Sequence, residues 1–397
     1  MSTRISTLRL YYFAAFAAIG VYLPFFPPWL EAHGIRGLSL GIVTSLFHAM
    51  SIIAPPAFGF VADALGLRGF LLRVACGGAF AGFLVISALA LRGGPIGFGP
   101  LVASVLIFAF FRSPMAMMAD VVSLEQSGRA GVPYGSIRLW GSIGFLCAAT
   151  AAGWLADPKQ PAEVPIAVAL ALLGAFTVSF ALPSRVPAPA RPSAEHVREF
   201  VADPSVRLFL AGAFFAQAGH VCYDQRMSSL LRDRGASQPF ISLAWSVGVL
   251  AEVLLMGVFG LIAQRVRPPV LLAIAYGGAS LRWLLIANLP GTLPLLLLQP
   301  LHALSFGVTW VASLAFVKER APSHMLSTAQ GLFTTAISSG GVVGMLVWGP
   351  LYEKSGGMVT FATASVVSAC ACALAIAFAR RGRSSLQKDK AVVAGAP

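Results

Sequence analysis

Gly59-Phe-Val-Ala-Asp63-Ala-Leu-Gly66-Leu-Arg68 separates two long apolar runs. Six runs later, Gly260-Leu-Ile-Ala-Gln264-Arg-Val-Arg267 occupies the corresponding place. The runs on either side echo each other too. Gly141, Gly144 and Gly153 mark the fifth, and Gly341, Gly344 and Gly349 mark the eleventh. A chain whose halves repeat in this way, each with six apolar runs, predicts two related helical bundles, the repeat architecture of many secondary transporters.

Composition agrees. The 397 residues are 57% hydrophobic and only 11% charged, with a mean hydropathy of +0.80; soluble domains carry about 25% charged residues. Runs long enough to cross a bilayer recur along the whole length. The reading is an all-α membrane protein with twelve transmembrane helices in two pseudo-symmetric six-helix bundles. The spans are placed at 8–31, 38–62, 70–92, 98–122, 134–157, 163–182, 205–231, 237–263, 268–288, 292–316, 325–350 and 357–379. Residues 1–182 form the N-terminal bundle, 183–204 a Pro- and Arg-rich cytoplasmic linker, 205–380 the C-terminal bundle and 381–397 a basic tail, irregular beyond Lys390. Pro24, Pro27 and Pro28 are expected to break the first span, and Pro294 and Pro300 the tenth.

The formal charge of +13 suits a nucleic-acid partner only until its distribution is counted. With both termini assigned to the cytoplasm, the loops on that side hold 18 Lys and Arg against six opposite. That asymmetry is the positive-inside rule at work, and it argues for a lipid bilayer and against nucleic acid. Arg4 and Arg9 precede a span without a small-residue cleavage site, so the first helix stays as an anchor. The five cysteines all fall in spans, with no metal-ligand spacing. No phosphate-binding loop and no nucleophilic triad is present, which leaves ATP-driven transport and enzyme catalysis without residues.

Four ionisable residues lie inside stretches that should sit in lipid: Arg138 in the first half, and Glu252, Arg282 and His302 in the second. A charge at the bilayer centre costs roughly 2.5–3.5 kcal/mol on insertion scales. Such residues mark a polar pathway. Arg138, Gly141 and Phe145 are spaced i, i+3, i+7 and share a helix face. A guanidinium there offers a planar fork for a carboxylate or paired hydroxyls; equally, it can snorkel at the end of its span. Glu252, Arg282 and His302 fit a proton relay, or a static ion pair between helices. Asp63 can cap a neighbouring helix and pair with Arg68 as a cytoplasmic gate, or the loop is a plain basic turn. Arg112, before Ser113-Pro114, can satisfy a carbonyl at the proline break. Tyr11, Tyr12, Tyr22 and Trp29 read as interface and packing residues; Gln330 and Trp348 are weaker candidates.

The chain resembles the major facilitator superfamily, and within it the lactose permease-like transporters with their phenylpropionate branch. The resemblance covers nearly the whole length. It is carried by Gly20-Val-Tyr-Leu-Pro-Phe-Phe-Pro-Pro-Trp29, the Asp63 loop, and Asp120 followed by Arg138 in Tyr134-Gly-Ser-Ile-Arg-Leu-Trp-Gly. Tyr223-Asp-Gln, Glu252, Ser280-Leu-Arg282 and Leu301-His302 carry it in the second half. It implies substrate binding by Asp120 and Arg138, paired across the cavity, with Phe145 standing where the pattern has tryptophan, and it implies a substrate or proton role for Arg112. It implies proton coupling by Glu252, Arg282, His302 and Asp224, with the proton as coupling ion and no cofactor.

The chain departs from that pattern at two positions. Ser305 stands where a second acid is expected, and Gln299 where a lysine is expected. Asp224 thereby loses its cationic partner, although Arg226 is near in sequence. The implied function is proton symport of a small organic solute by alternating access, in a bacterial-type inner membrane and as a monomer. An aromatic monocarboxylate such as 3-phenylpropionate fits best. A sugar or nucleoside symporter and a proton-driven drug exporter are the alternatives.

Overall fold

Long apolar segments in lipid can satisfy their backbone groups only within themselves, so helix is forced. The computed structural model describes residues 2–65, 67–93, 95–132, 134–155, 157, 160, 162–183, 194–263, 265–321 and 326–394, without the side chains of 2–4, 63–65, 124–125, 194, 196, 256–263, 326–327 and 382–394. The first half contains α1 (Ser2–Ala32), α2 (Gly37–Leu65), α3 (Arg68–Leu91), α4 (Phe98–Arg112), α5 (Met115–Ala130), α6 (Tyr134–Leu155) and α7 (Glu163–Ser179). After α8 (Ala194–Ala202) come α9 (Pro204–Asp233), α10 (Gln238–Ala263), α11 (Pro268–Asn288), α12 (Leu293–Leu297), α13 (Thr309–Arg320) and α14 (Leu326–Ala394). Twelve crossings result: α4 and α5 together make the fourth, α12 to α13 the tenth, and α14 the last two.

One expected proline break is found, in the tenth span, one is absent, in the first, and one is added, in the fourth, each with a physical cause. The fourth span breaks at Ser113-Pro114, because a proline inside a helix clashes with the preceding turn and lacks a donor. The tenth passes from α12 through a 3-10 turn (Gln299–Leu301) and a π-helical stretch (Ala303–Val308) into α13. Such distortions gather at functional sites. By contrast α1 runs unbroken through Pro24, Pro27 and Pro28, where Phe25, Phe26 and Trp29 are wholly buried and hold the helix from outside. Within α14, Gly356 at φ 74° and ψ 176° separates the eleventh and twelfth spans, a conformation open to glycine without strain. The linker is not wholly irregular either, since α8 lies in it and Asp203 caps α9 through Ser205 N at 2.7 Å. The tail beyond Lys390, expected to be irregular, continues the helix to Ala394.

Eight helical stretches are long and apolar enough to cross a membrane, that of Thr328–Arg381 long enough to cross twice; α7 is a shorter apolar helix. The two remaining crossings, α6 and α9, are too polar to pass the same test. α6 packs closely on α1, and α9 on α14. Seventeen residues of α9 are buried, among them His220, Tyr223, Gln225 and Arg226.

Close helix approach repeats the internal symmetry. A Cβ at Gly144 of α6 would lie 2.1 Å from Phe13 O of α1, and one at Gly340 of α14 would lie 2.1 Å from Phe214 O of α9. Small residues let transmembrane backbones meet in this way. The fifth span thus meets the first as the eleventh meets the seventh.

The halves meet at one end. Every hydrogen bond and ion pair between described residues of the two halves lies toward the C-terminal ends of α1, α6 and α9 and the N-terminal ends of α2 and α10. Among them are Ser242 Oγ to Ala149 O at 2.7 Å and Gln225 Nε2 to Thr44 Oγ1 at 2.6 Å. At the other end, which carries the start of α1, Phe60, Val61, Gly135, Gln330 and Gly331 are exposed. The molecule is closed at one end and open at that of its amino terminus.

Gly144→Val and Gly340→Val are each expected to destabilise the protein by roughly 1–3 kcal/mol through overpacking. Gly331→Ala, with nothing near its added Cβ, should be neutral or slightly stabilising. Thermal unfolding of the purified protein checks all three.

Candidate functional site: polar clusters in the two bundles

On the first-half side, Asp120 of α5 accepts hydrogen bonds on Oδ1 from Tyr12 Oη at 2.5 Å and Tyr134 Oη at 2.8 Å. Arg138, one turn after Tyr134, lays its guanidinium over Phe16 at 3.9 Å and Tyr12 at 5.5 Å from the ring centroids. Among the described residues no carboxylate comes within ion-pair distance of Arg138. Its charge does reach Glu252 of α10, in the opposite half. Phe145 is buried in an apolar cluster that includes Val221, Trp245 and Met345 of the second half, and its backbone abuts Gly20 of α1. Arg112 is buried at the end of α4, with Tyr11 and Cys76 as its electrostatic neighbours.

On the second-half side, Arg282 of α11 is fully buried. Nη1 donates to Ser305 Oγ at 2.9 Å and Nη2 to Gln299 Oε1 at 2.9 Å. Tyr223 and Trp283 stack on the guanidinium at 4.5 and 4.9 Å. Tyr223 Oη also donates to Gln299 Oε1 at 2.9 Å. A charge removed from water must be paired or hydrogen-bonded; here neutral groups and ring faces do the holding. The distorted backbone of the tenth span brings His302 and Ser305 together on this cation.

His302 contacts both Arg282 and Glu252. Nδ1 lies 3.4 Å from Arg282 Nη1, and Nε2 lies 3.6 Å from Glu252 Oε2. A guanidinium only donates, so Nδ1 is the acceptor and Nε2 carries the proton toward Glu252. His220 of α9 is stacked nearby, with ring centroids 5.7 Å apart, and its Nε2 lies 3.7 Å from Asp224 Oδ1.

At the closed end, Glu31 of α1 takes donors from three residues of α9. Arg226 Nη1 donates to Oε1. Ser229 Oγ donates to Oε2 at 2.6 Å and Arg232 Nη2 to Oε2 at 3.1 Å. Arg226 also donates to Gly349 O at 3.2 Å and stacks on Tyr352 at 4.9 Å.

A family model described as the MFS_1 like family matches residues 5–363. The chain belongs to that family. It is 28% identical over 347 residues to the maltose permease of Geobacillus stearothermophilus, covering 85% of each chain. It is 25% identical over 369 residues to a probable 3-phenylpropionic acid transporter of Escherichia coli (strain K12), covering 88% of this chain and 91% of that one. The crystal structure of the nucleoside transporter NupG superposes with a TM-score of 0.79 at 19% identity, covering 95% of this chain and 98% of that one. Family membership makes the protein a multi-pass secondary transporter of a small molecule, and not an enzyme.

Within that family's frame, the structure gathers Asp120 and Arg138 on one wall, and Glu252, Arg282, His302 and Asp224 on the other. It does not join Asp120 to Arg138 directly, because two tyrosine hydroxyls already hold the carboxylate. Tyr12, expected as packing, is therefore part of the wall. Arg226 does not serve Asp224, since Glu31 takes it. Gln299 and Ser305, the two departures, are the groups that hold Arg282. Trp348 is a structural residue, donating to Ala218 O at 2.7 Å, and Gln330 is exposed. The Asp63 side chain lies outside the described residues; Arg68 is buried at the start of α3. Sequence reasoning missed Glu31, His220 and Phe16, and His48 of α2, whose charge bears on His220. The rule that singled out His302, an ionisable group in an apolar run, applies equally to His48 and His220. Phe16 carries no such signal.

Glu31→Ala should strand the buried Arg226 charge and lower stability by about 3–5 kcal/mol. In a double-mutant cycle with Arg226→Ala the two losses should be non-additive by at least ~0.5 kcal/mol, measured by thermal or denaturant unfolding.

Proposed function

We propose that the protein is a proton symporter that takes up an aromatic monocarboxylate, 3-phenylpropionate being the best candidate. The observation that supports this most is Arg138. Among the described residues it has no ion-paired acid, and it lies on a phenyl ring, so an incoming carboxylate finds a planar fork and an incoming ring finds an aromatic wall. Asp120 stays occupied by tyrosines and orients them.

The coupling follows from placement. Glu252 shares the field of Arg138 and touches His302. When Glu252 is charged, it competes with a substrate carboxylate for that field. When it is protonated, the competition ends and the anion binds more tightly. By linkage the substrate then raises the affinity for the proton by the same factor. Arg282, held by neutral partners, supplies a fixed positive charge beside His302.

Transport in this reading is rocking of the bundles 1–182 and 205–380 about the cavity, with 183–204 as the linker and both termini in the cytoplasm. The open end then faces inward, and the clasp on Glu31 seals the outside. The bacterial permeases it resembles favour an inner-membrane setting, and the protein is taken to act as a monomer. A second reading is a sugar symporter. The maltose permease resemblance and the hydroxyl-rich ring of Tyr12, Asp120 and Tyr134 favour it.

The test is proton uptake by proteoliposomes on addition of 3-phenylpropionate, then of maltose. External alkalinisation with the first is expected. Glu252→Gln should abolish it, together with accumulation, while substrate counterflow persists. A response to maltose alone transfers the assignment to sugars. Transport without proton movement defeats symport.

A further inference from the structure

The second half encloses a pocket of about 30 Å³ away from the cavity, lined by His220, Tyr276, Ser305, Thr309 and Gln217 among others. That volume holds one or two waters, provided polar partners are present to bind them. Two are. His220 Nδ1 is buried without a hydrogen-bond partner among the described residues, and its side chain is more than nine-tenths buried; Tyr276 Oη, equally buried, has the Ser313 hydroxyl within reach and keeps capacity for one further bond. Buried polar groups in native proteins are almost always satisfied, by protein or by ordered water.

We propose that this pocket holds ordered water bridging His220 and Tyr276, and that His220 with Asp224 forms a second proton-binding station beside Glu252 and His302. The station would stand in for the acid missing at Ser305, and it deepens the symport reading on which it rests. His220 points Nε2 at Asp224 Oδ1, 3.7 Å away, and leaves Nδ1 to the pocket. A proton delivered by the water binds Nδ1. The ring then passes its Nε2 proton to Asp224 Oδ1, so that one proton is gained and nothing else is consumed. Asp224 is the more exposed member of the pair, with 16% of its side chain accessible against 8% for His220. The imidazole of His302 stacks between the two stations, contacting His220 on one side and Glu252 on the other. The other groups whose charge bears on His220 are Arg282 from α11 and His48 from α2; Tyr276 faces it across the pocket and Tyr223 lies on its own helix.

Three measurements on the full chain test this. A structure that resolves water should place one within hydrogen-bonding distance of both His220 Nδ1 and Tyr276 Oη; a dry pocket overturns the proposal. In infrared titration in lipid, the carboxylic-acid band lost in Asp224→Asn belongs to Asp224. His220→Gln should move its midpoint by about one pH unit, and Tyr276→Phe, which keeps the packing, should move it too. A midpoint unmoved by both overturns the proposal. In proteoliposomes supplied with 3-phenylpropionate or maltose, His220→Gln should keep counterflow and lose about tenfold in accumulation. Undiminished accumulation in His220→Gln, with loss in Glu252→Gln, overturns the second station and leaves symport standing. Wild-type transport without proton movement instead overturns symport, whatever the water and the Asp224 band show.

Discussion

A guanidinium buried where no water reaches it sets the terms for the second bundle. Arg282 cannot shed its proton and cannot be left bare. Around it the chain assembles Gln299, Ser305, Tyr223 and Trp283, and the tenth span abandons regular helix to bring two of them within reach. His302 is fixed by the same cation, which determines the ring nitrogen that faces Glu252. The π-helical stretch follows from this: an ordinary helix through 299–308 would present these residues at a different pitch.

The same accounting explains why α6 and α9 fall short of the apolarity of the other spans. A helix that faces lipid on most of its circumference is apolar throughout. Most of α9 is buried, so it can carry His220, Asp224, Gln225 and Arg226, and α6 turns Arg138 onto Phe16 and Tyr12 of α1. Their polarity marks contact with the rest of the protein, and a search for apolar stretches alone discards them.

The fold was legible because hydrocarbon permits so few solutions. Twelve apolar runs and a repeated loop leave little else for the chain to be. The wall of the site was legible in part. Arg138, Glu252, Arg282 and His302 declare themselves by standing in lipid-like sequence. Their partners do not, because hydroxyls, amides and rings are ordinary residues there. The Tyr12–Asp120–Tyr134 bridge joins three separate helices, and spacing along one chain cannot announce such a meeting. The continuity of α1 through its three prolines was likewise invisible, since it rests on tertiary burial of Phe25, Phe26 and Trp29.

An alternating-access protein must also be able to let go. Its two forms have to lie within a few kcal/mol of each other for ligands to shift their balance. The contact between halves is built accordingly. A Cβ at Gly349 would lie 2.3 Å from Gly37 O, at Gly41 2.7 Å from Met345 O, and at Gly153 2.3 Å from Ser242 Cβ. Backbone against backbone gives snug dispersion contact over a small apolar area, and such an area is wetted at little cost when the halves part. The clasp at Glu31 compensates for that modest adhesion with charge, and charge is what water readily replaces. Opening of this end exchanges Arg226, Ser229 and Arg232 for solvent around one carboxylate and parts the glycine seams, but it also separates Phe145 from Val221, Trp245 and Met345. The clasp and the seams are what hydration can undo, and the apolar cluster is the part of the joint whose exposure opposes opening.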